Sequence, residues 1–167
     1  LRANENFAKT DFSSPKVCLS GGAPCPEELL RNWEKVTGCV LLEGWGMSEG
    51  APINSNPLHG VRKIGSVGMP LPDVRIRVVD AEEGTRELPA KEVGEITVNA
   101  PQLMRGYWNN PDETAAMLRR AEDGSSWLHT GDLGAIDAEG VLFLRDRSKD
   151  MIISGGVNIY PQETENL

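Results

Sequence analysis

A chain of 167 residues that is 39% hydrophobic and 25% charged has enough material for a packed core and lies far in composition from disordered or membrane proteins. Its formal charge of −8 argues against a nucleic-acid surface, and neither a run of about 18 apolar residues nor a basic segment leading into an apolar one marks a membrane span or signal peptide. Cys18, Cys25 and Cys39 form no C-x-x-C pair and stand at no ligand-like spacing from His59 or His129, so the expectation is free thiols in a reducing compartment and no zinc site.

In chain order, Lys16 to Ser20 reads as a short buried strand, and Gly21-Gly22 as the turn after it. Pro26 takes the first position of a helix, Glu27 and Glu28 complement its dipole, and Leu29, Trp33 and Val36 recur on one face. Gly38 ends that helix, and Cys39-Val40-Leu41-Leu42 is the next strand. Such a strand-helix-strand unit is expected to be parallel and right-handed. Ligands of open α/β sheets bind beyond the carboxyl ends of strands, so Gly21-Gly22 and Gly44-Trp45-Gly46 should face one cleft.

From about Gly65 the texture changes to short segments of period two: 74–79, 93–98 and 141–144. Asp137-Ala138-Glu139-Gly140 has the chemistry of a hairpin loop, and Gly131-Asp132 that of a turn. One helix interrupts from Pro111 to Leu118, with Asn110 as its cap and Glu113 placed to complete a capping box. The expected fold class is α/β, the end of a parallel βαβ sheet followed by a small antiparallel barrel-like β subdomain. The first segment of another domain should lie beyond Lys149, and no internal repeat is visible.

Three segments carry most of the chemistry: Trp45-Gly46-Met47-Ser48-Glu49, His129-Thr130-Gly131-Asp132 and Arg145-Asp146-Arg147-Ser148-Lys149-Asp150. They supply hydroxyls, carboxylates and guanidinium groups with glycines beside them, as a pocket approaching phosphate and ribose requires. Further motifs are Ser20-Gly21-Gly22-Ala23-Pro24, Gly94-Glu95-Ile96, Gly106-Tyr107-Trp108 and Gly155-Gly156-Val157-Asn158-Ile159-Tyr160-Pro161. In this order the set resembles the adenylate-forming, or AMP-binding, ligases, which include acyl-CoA synthetases, luciferases and peptide-synthetase adenylation domains. The segments 42–49 and 156–161 look most like medium- or long-chain fatty acyl-CoA synthetases.

The resemblance implies roles position by position. Ser48 stands where the family has Thr, its hydroxyl on the nucleotide phosphate, and Glu49 would help to hold Mg²⁺; these two are the candidate catalytic residues. Trp45 replaces the aromatic, usually Tyr, that packs beside adenine, Gly46 and Met47 complete that loop, and Gly21, Gly22, Ala23 and Pro24 resemble the adenine wall. Asp132 would receive both ribose hydroxyls and Arg147 would reach the same sugar. Gly155 and Gly156 resemble the lining of the pantetheine passage, and Lys149 the interdomain hinge. Read alone, the same residues also fit a capped turn, a core tryptophan, a turn aspartate, a hairpin turn and a surface lysine.

The implied reaction has two steps: a carboxylate attacks the α-phosphate of ATP to give acyl-AMP and pyrophosphate, and CoA then displaces AMP. ATP or AMP, Mg²⁺ and CoA are thus the expected cofactors and co-substrates, and a carboxylic acid, expected to be a fatty acid, is the substrate. The family's phosphate loop and terminal catalytic Lys are not in this sequence, so the expectation is a segment of a longer enzyme, inactive alone. It would comprise the end of the nucleotide-binding subdomain (1–64), the β-rich subdomain (65–147), and the hinge with the start of a lid domain (148–167). A cytoplasmic location is expected, with peripheral membrane association left open for the whole enzyme. Two alternatives stand: an aryl-CoA or carrier-protein-directed ligase, and a non-catalytic nucleotide-binding module on the same scaffold. Glu49, Asp132, Arg147 and Lys149 together argue against the module.

Overall fold

The computed structural model describes residues 6–23, 25–147, 152–154 and 157–159. Strand β1 (Val17–Ser20), helix α1 (Glu27–Thr37) and strand β2 (Val40–Trp45) form the expected unit, with β1 and β2 parallel and Val17 opposite Val40. Gly38 adopts φ 69° and donates its N–H to the Glu34 carbonyl, the left-handed stop that glycine makes without strain. Pro26 is the cap residue and not the first helical one; its carbonyl accepts the first helical bond, from Leu30 N.

The buried face of α1 is rotated from the expected one. Leu30 is 6% exposed, whereas Leu29 and Val36 are 46% and 52% exposed. The inward stripe is Leu30, Trp33, Glu34 and Thr37, also at helical spacing. Trp33 turns toward Phe7 and Phe12, with ring centroids 6.0 and 5.5 Å away. Glu34 can face inward because its carboxylate accepts the Leu41 N–H and pairs with Arg62. Thr37 Oγ1 donates to the Trp33 carbonyl and accepts the Cys39 N–H, so both polar aliphatic side chains of the stripe have partners, which hydrophobic periodicity alone does not reveal, while the Trp33 Nε1 is buried without one among the described residues.

Strand β2 runs on past Leu42, where its apolar run ends, through Glu43, Gly44 and Trp45, because strand β3 (Asn54–Ser55) folds back on it. Strand β4 (Met69–Pro70) completes a sheet ordered β1-β2-β3-β4. Between β3 and β4, Gly68 has φ 81°, and a Cβ there would sit 2.1 Å from the Ser55 carbonyl oxygen, so no other residue fits.

The second sheet contains β5 (Arg75–Val79), β6 (Gly94–Asn99), β7 (Leu118–Arg120), β8 (Ser126–Ile136) and β9 (Leu142–Arg147), all antiparallel. Helix α2 (Pro111–Met117) precedes β7. The sheet is open; the barrel-like expectation is corrected here. Strand β8 is 11 residues long, so β7 pairs with its first part and β9 with its last along one edge, and among the described residues no strand links β9 to β5. The two sheets are joined where Leu142 exchanges backbone hydrogen bonds with Val67 and Gly68. They share one core: Trp45 and Ile53 pack with Val74, Ile96, Val98, Leu128 and Leu142.

Asn110 caps α2 by accepting the Glu113 N–H, but the reciprocal arm of a capping box is not made, since the Asn110 N–H goes to the Tyr107 carbonyl. Asp137 closes the β8-β9 hairpin by accepting the N–H groups of Glu139 and Val141. Strands β10 (Ile152–Ser154) and β11 (Val157–Ile159) form an antiparallel pair. Cys18, Cys25 and Cys39 are free, with the Cys18 and Cys39 sulfurs 3.5 Å apart across β1 and β2. Among the described residues no helix is long and apolar enough to cross a membrane.

Candidate functional site

The site is built where the end of β2, the middle of β8 and the end of β9 meet. Gly131 and Asp132 lie inside β8 and not in a turn between strands, a second correction. The turn chemistry is real but serves a bulge: Gly131 sits at φ 69° within the strand. Asp132 pairs in register with Arg147 of β9, and the Arg147 Nε lies 3.3 Å from Asp132 Oδ1. From β2, the indole Nε1 of Trp45 donates to Asp132 Oδ2 at 3.1 Å. Three elements therefore converge on one carboxylate.

The Asp132 side chain is only 16% exposed while that of Arg147 is 61% exposed. Burial pushes the Asp132 carboxyl above the ordinary aspartate value; the Trp45 hydrogen bond and the Arg147 charge oppose this, and the nearby charge of Glu49 adds to it. Each Asp132 oxygen has one nitrogen donor within reach. A carboxylate oxygen accepts about two hydrogen bonds, so one acceptor position per oxygen remains, a match for a pair of hydroxyl donors.

Trp45 is 8% exposed and belongs to the shared core. Its ring is committed to packing, and what it presents to the site is its N–H. After it, Gly46 packs tightly, a Cβ there lying 3.1 Å from the Ala51 Cβ, and Met47 lies partly buried against the core. A turn from Met47 to Gly50, closed by Gly50 N to Met47 O, carries Ser48 outward and exposed. Glu49 is fixed twice: its carbonyl accepts the Met104 N–H at 2.7 Å, and its carboxylate accepts the Tyr107 hydroxyl at 2.7 Å. The Glu49 hydrogen bond, assisted by burial, pushes the Tyr107 phenol up to about 12, so Tyr107 remains a donor at any physiological pH.

Gly21 follows β1 and lies against β2, a Cβ there being 3.0 Å from the Gly44 carbonyl oxygen; Gly21, Gly22 and Ala23 are exposed. The turn after β1 thus lies against the last residues of β2. Pro24, Lys149, Gly155 and Gly156 lie outside the described residues. Tyr107 and Glu95 had been given no role from sequence, although both sit in quoted motifs. Tyr107 is 58 residues from its partner Glu49, and only the fold brings the two together.

Among the described residues no group of three His, Cys, Asp or Glu side chains could hold a metal ion. Mg²⁺ commonly takes only one or two protein carboxylates and completes its octahedron with phosphate and water, so Glu49, with one oxygen engaged by Tyr107, fits such an ion as a single ligand.

At the junction of the two sheets a carboxylate is clamped between an indole N–H and an arginine with a second carboxylate nearby, and its free acceptor positions suit a pair of hydroxyl donors. The family model of AMP-binding enzymes matches residues 1–108, and the chain belongs to this family. It is 50% identical over 156 residues to the long-chain-fatty-acid–CoA ligase of Bacillus subtilis, covering 93% of this chain and 27% of that protein. Among solved structures it is similar to ATP-bound MatB from Rhodopseudomonas palustris, at 42% identity and a TM-score of 0.81 over 90% of this chain and 29% of that one. It is also similar to the anthranilate CoA ligase AuaEII in complex with anthranoyl-AMP, at 30% identity and a TM-score of 0.82, covering 97% of this chain and 30% of that one. The chain therefore spans less than a third of the length of these relatives.

Proposed function

We propose that this chain is a segment of an AMP-forming acyl-CoA ligase that activates a fatty acid with ATP and transfers the acyl group to CoA. The observation that carries this reading is Asp132, held between Trp45 and Arg147 with one acceptor position open on each oxygen. In it, Asp132 accepts the two ribose hydroxyls, and Arg147 restrains the carboxylate and reaches the sugar. Gly21, Gly22, Ala23 and Pro24, with the Gly46-Met47 backbone, form the adenine side. Ser48, exposed on its turn, donates to phosphate. Glu49, steadied by Tyr107, would hold Mg²⁺, whose chemistry is to neutralise charge on the phosphates.

Catalysis of acyl-adenylate formation is then mostly positioning and charge stabilisation. Gly155 and Gly156 would line the pantetheine passage, Lys149 would be the pivot of the lid, and the reaction would take place in the cytoplasm. The name of the relative from Bacillus subtilis supports a fatty acid; the structural likeness to an anthranilate CoA ligase keeps an aryl acid as the second reading. Pyrophosphate release by the full-length ligase with medium- and long-chain fatty acids and with benzoates decides between them. Fatty acids should give the faster turnover; a preference for benzoates reverses the assignment, and no release with either class refutes the activity.

A further inference from the structure

Behind the Asp132 bulge lies a polar cluster that the site does not use. Glu95 and Thr97 alternate with Ile96 and Val98 along β6, so they point to the face opposite the shared core. His129 of β8 joins them there, its Nδ1 2.9 Å from Glu95 Oε2, and the two side chains are 7% and 15% exposed. The loop at Gly84 covers the pair, a Cβ there falling 3.0 Å from both His129 Cε1 and Arg119 Nη1.

The register explains what this cluster does. Thr97 pairs with His129 and Glu95 pairs with Leu133, so Thr130, Gly131 and Asp132 together stand opposite Ile96 alone. Two extra residues break the ladder, and their backbone groups need other partners. Side chains provide them. Thr130 Oγ1 donates to the Ile96 carbonyl at 2.7 Å and accepts the Asp132 N–H at 3.1 Å. Glu95 Oε1 accepts the Gly131 N–H at 3.1 Å.

Burial pushes the Glu95 carboxyl up, but the His129 hydrogen bond and charge, the Gly131 N–H and the Arg119 charge hold it below the usual range. As a carboxylate Glu95 is acceptor only, so His129 Nδ1 is the donor in their contact.

We propose that Glu95, oriented by His129, is the positioning residue for Asp132: by accepting the Gly131 N–H it holds the left-handed bulge that aims the Asp132 carboxylate at the nucleotide ribose. This inference rests on the reading of Asp132 as the ribose ligand. Glu95 touches no substrate and acts only through the bulge.

The test is AMP affinity, measured by calorimetry on the full-length ligase and on its Glu95→Ala, Asp132→Ala and double variants. Glu95→Ala should weaken AMP binding about tenfold, the loss of one contact to a charged group. The double variant should bind no more weakly than Asp132→Ala alone, because both changes remove the same interaction. Glu95→Gln should stay within about threefold of wild type, since its amide oxygen can accept from Gly131 while its NH₂ donates to His129 in the other tautomer. Glu95→Met, which fills the volume without an oxygen, replaces alanine if the smaller side chain does not fold.

Val98→Ala, a buried change on the same strand, provides the stability control and should leave AMP affinity intact. Wild-type affinity in folded Glu95→Ala, losses that multiply in the double variant, or an equal loss in Val98→Ala would overturn the proposal. Wild-type AMP affinity in Asp132→Ala would instead remove the nucleotide reading itself, and the role of Glu95 with it.

Discussion

Trp45→Phe separates the two jobs assigned to one side chain, packing in the core and donating to Asp132. The substitution leaves a gap of roughly 40 Å³, which at about 24 cal/mol per Å³ costs about 1 kcal/mol if the site does not relax. It also deletes a hydrogen bond to a charged group, of the kind that contributes about 1.5–3 kcal/mol. The total loss of folding stability at neutral pH is therefore about 2.5–4 kcal/mol, measurable by urea denaturation. The same deletion acts on proton affinity. Burial already raises the Asp132 carboxyl above its ordinary value, and the Trp45 N–H is the first of the groups that oppose it.

A carboxylate must be ionised to accept two hydroxyls, so AMP affinity should fall as the pH drops through the Asp132 pKa, at a midpoint above that of an ordinary aspartate. In Trp45→Phe that midpoint should move higher still. Because this carboxyl is raised, its own contribution to stability improves as the pH falls through the folded-state value, opposite in sign to most acid denaturation. Calorimetric titration of AMP from pH 4 to 7 on both proteins measures the shift. Superimposable pH profiles, together with a stability loss no larger than the cavity alone explains, would refute the indole-carboxylate contact.

Glu49→Gln should reduce pyrophosphate release more than AMP affinity, and Tyr107→Phe should raise the Mg²⁺ concentration needed for half-maximal release by about threefold to tenfold, the loss of one charge-assisted hydrogen bond; equal Mg²⁺ titrations in all three proteins would remove Glu49 from a metal site. Four backbone N–H groups, from Glu83, Gly84, Thr85 and Arg86, reach the Asp80 carboxylate, and those of Glu83 and Arg86 lead in lowering its pKa to about 2. Its stabilisation is complete above the ordinary aspartate value and lost as the pH falls toward about 2, so Asp80→Asn should flatten the acid limb of a stability profile, and an unchanged limb counts against the turn. Lys149→Pro should spare adenylation and impair CoA transfer, since proline fixes φ at a hinge; pyrophosphate and acyl-CoA assayed separately test this, and wild-type rates of both remove Lys149 from the pivot.

Local chemistry in the sequence was enough for the strand-helix-strand unit, the Gly38 stop, the Asn110 cap and the Asp137 hairpin, because each is decided by a few adjacent residues. The buried face of α1 was not, since it depends on Phe7, Phe12 and Arg62, which sit elsewhere in the chain. Alternating segments announced strands but not whether their sheet closes; that is set by the length of β8, which was hidden because a glycine-aspartate bulge has the same composition as a turn. At the site, Asp132, Arg147 and Glu49 were singled out as candidates by motif, while their geometry was not legible. Trp45 and Asp132 are 87 residues apart, and only the packing of the first sheet on the second turns the indole N–H toward the carboxylate. Glu95 escaped notice because its role is to satisfy a backbone group, which no side-chain motif records.

The central claim is that Asp132 binds the ribose of an adenine nucleotide. Calorimetric titration of AMP into the full-length ligase and its Asp132→Ala variant tests it most directly, with 2′,3′-dideoxy-AMP as the paired ligand. Losing one charge-assisted hydrogen bond, a net contribution of about 1.5–3 kcal/mol, already weakens binding about tenfold to hundredfold, so the variant should bind AMP at least roughly tenfold more weakly. It should also bind AMP and the dideoxy nucleotide alike, while wild type prefers AMP. Equal AMP affinity in the two proteins, or a variant that still prefers the ribose hydroxyls, would contradict the account.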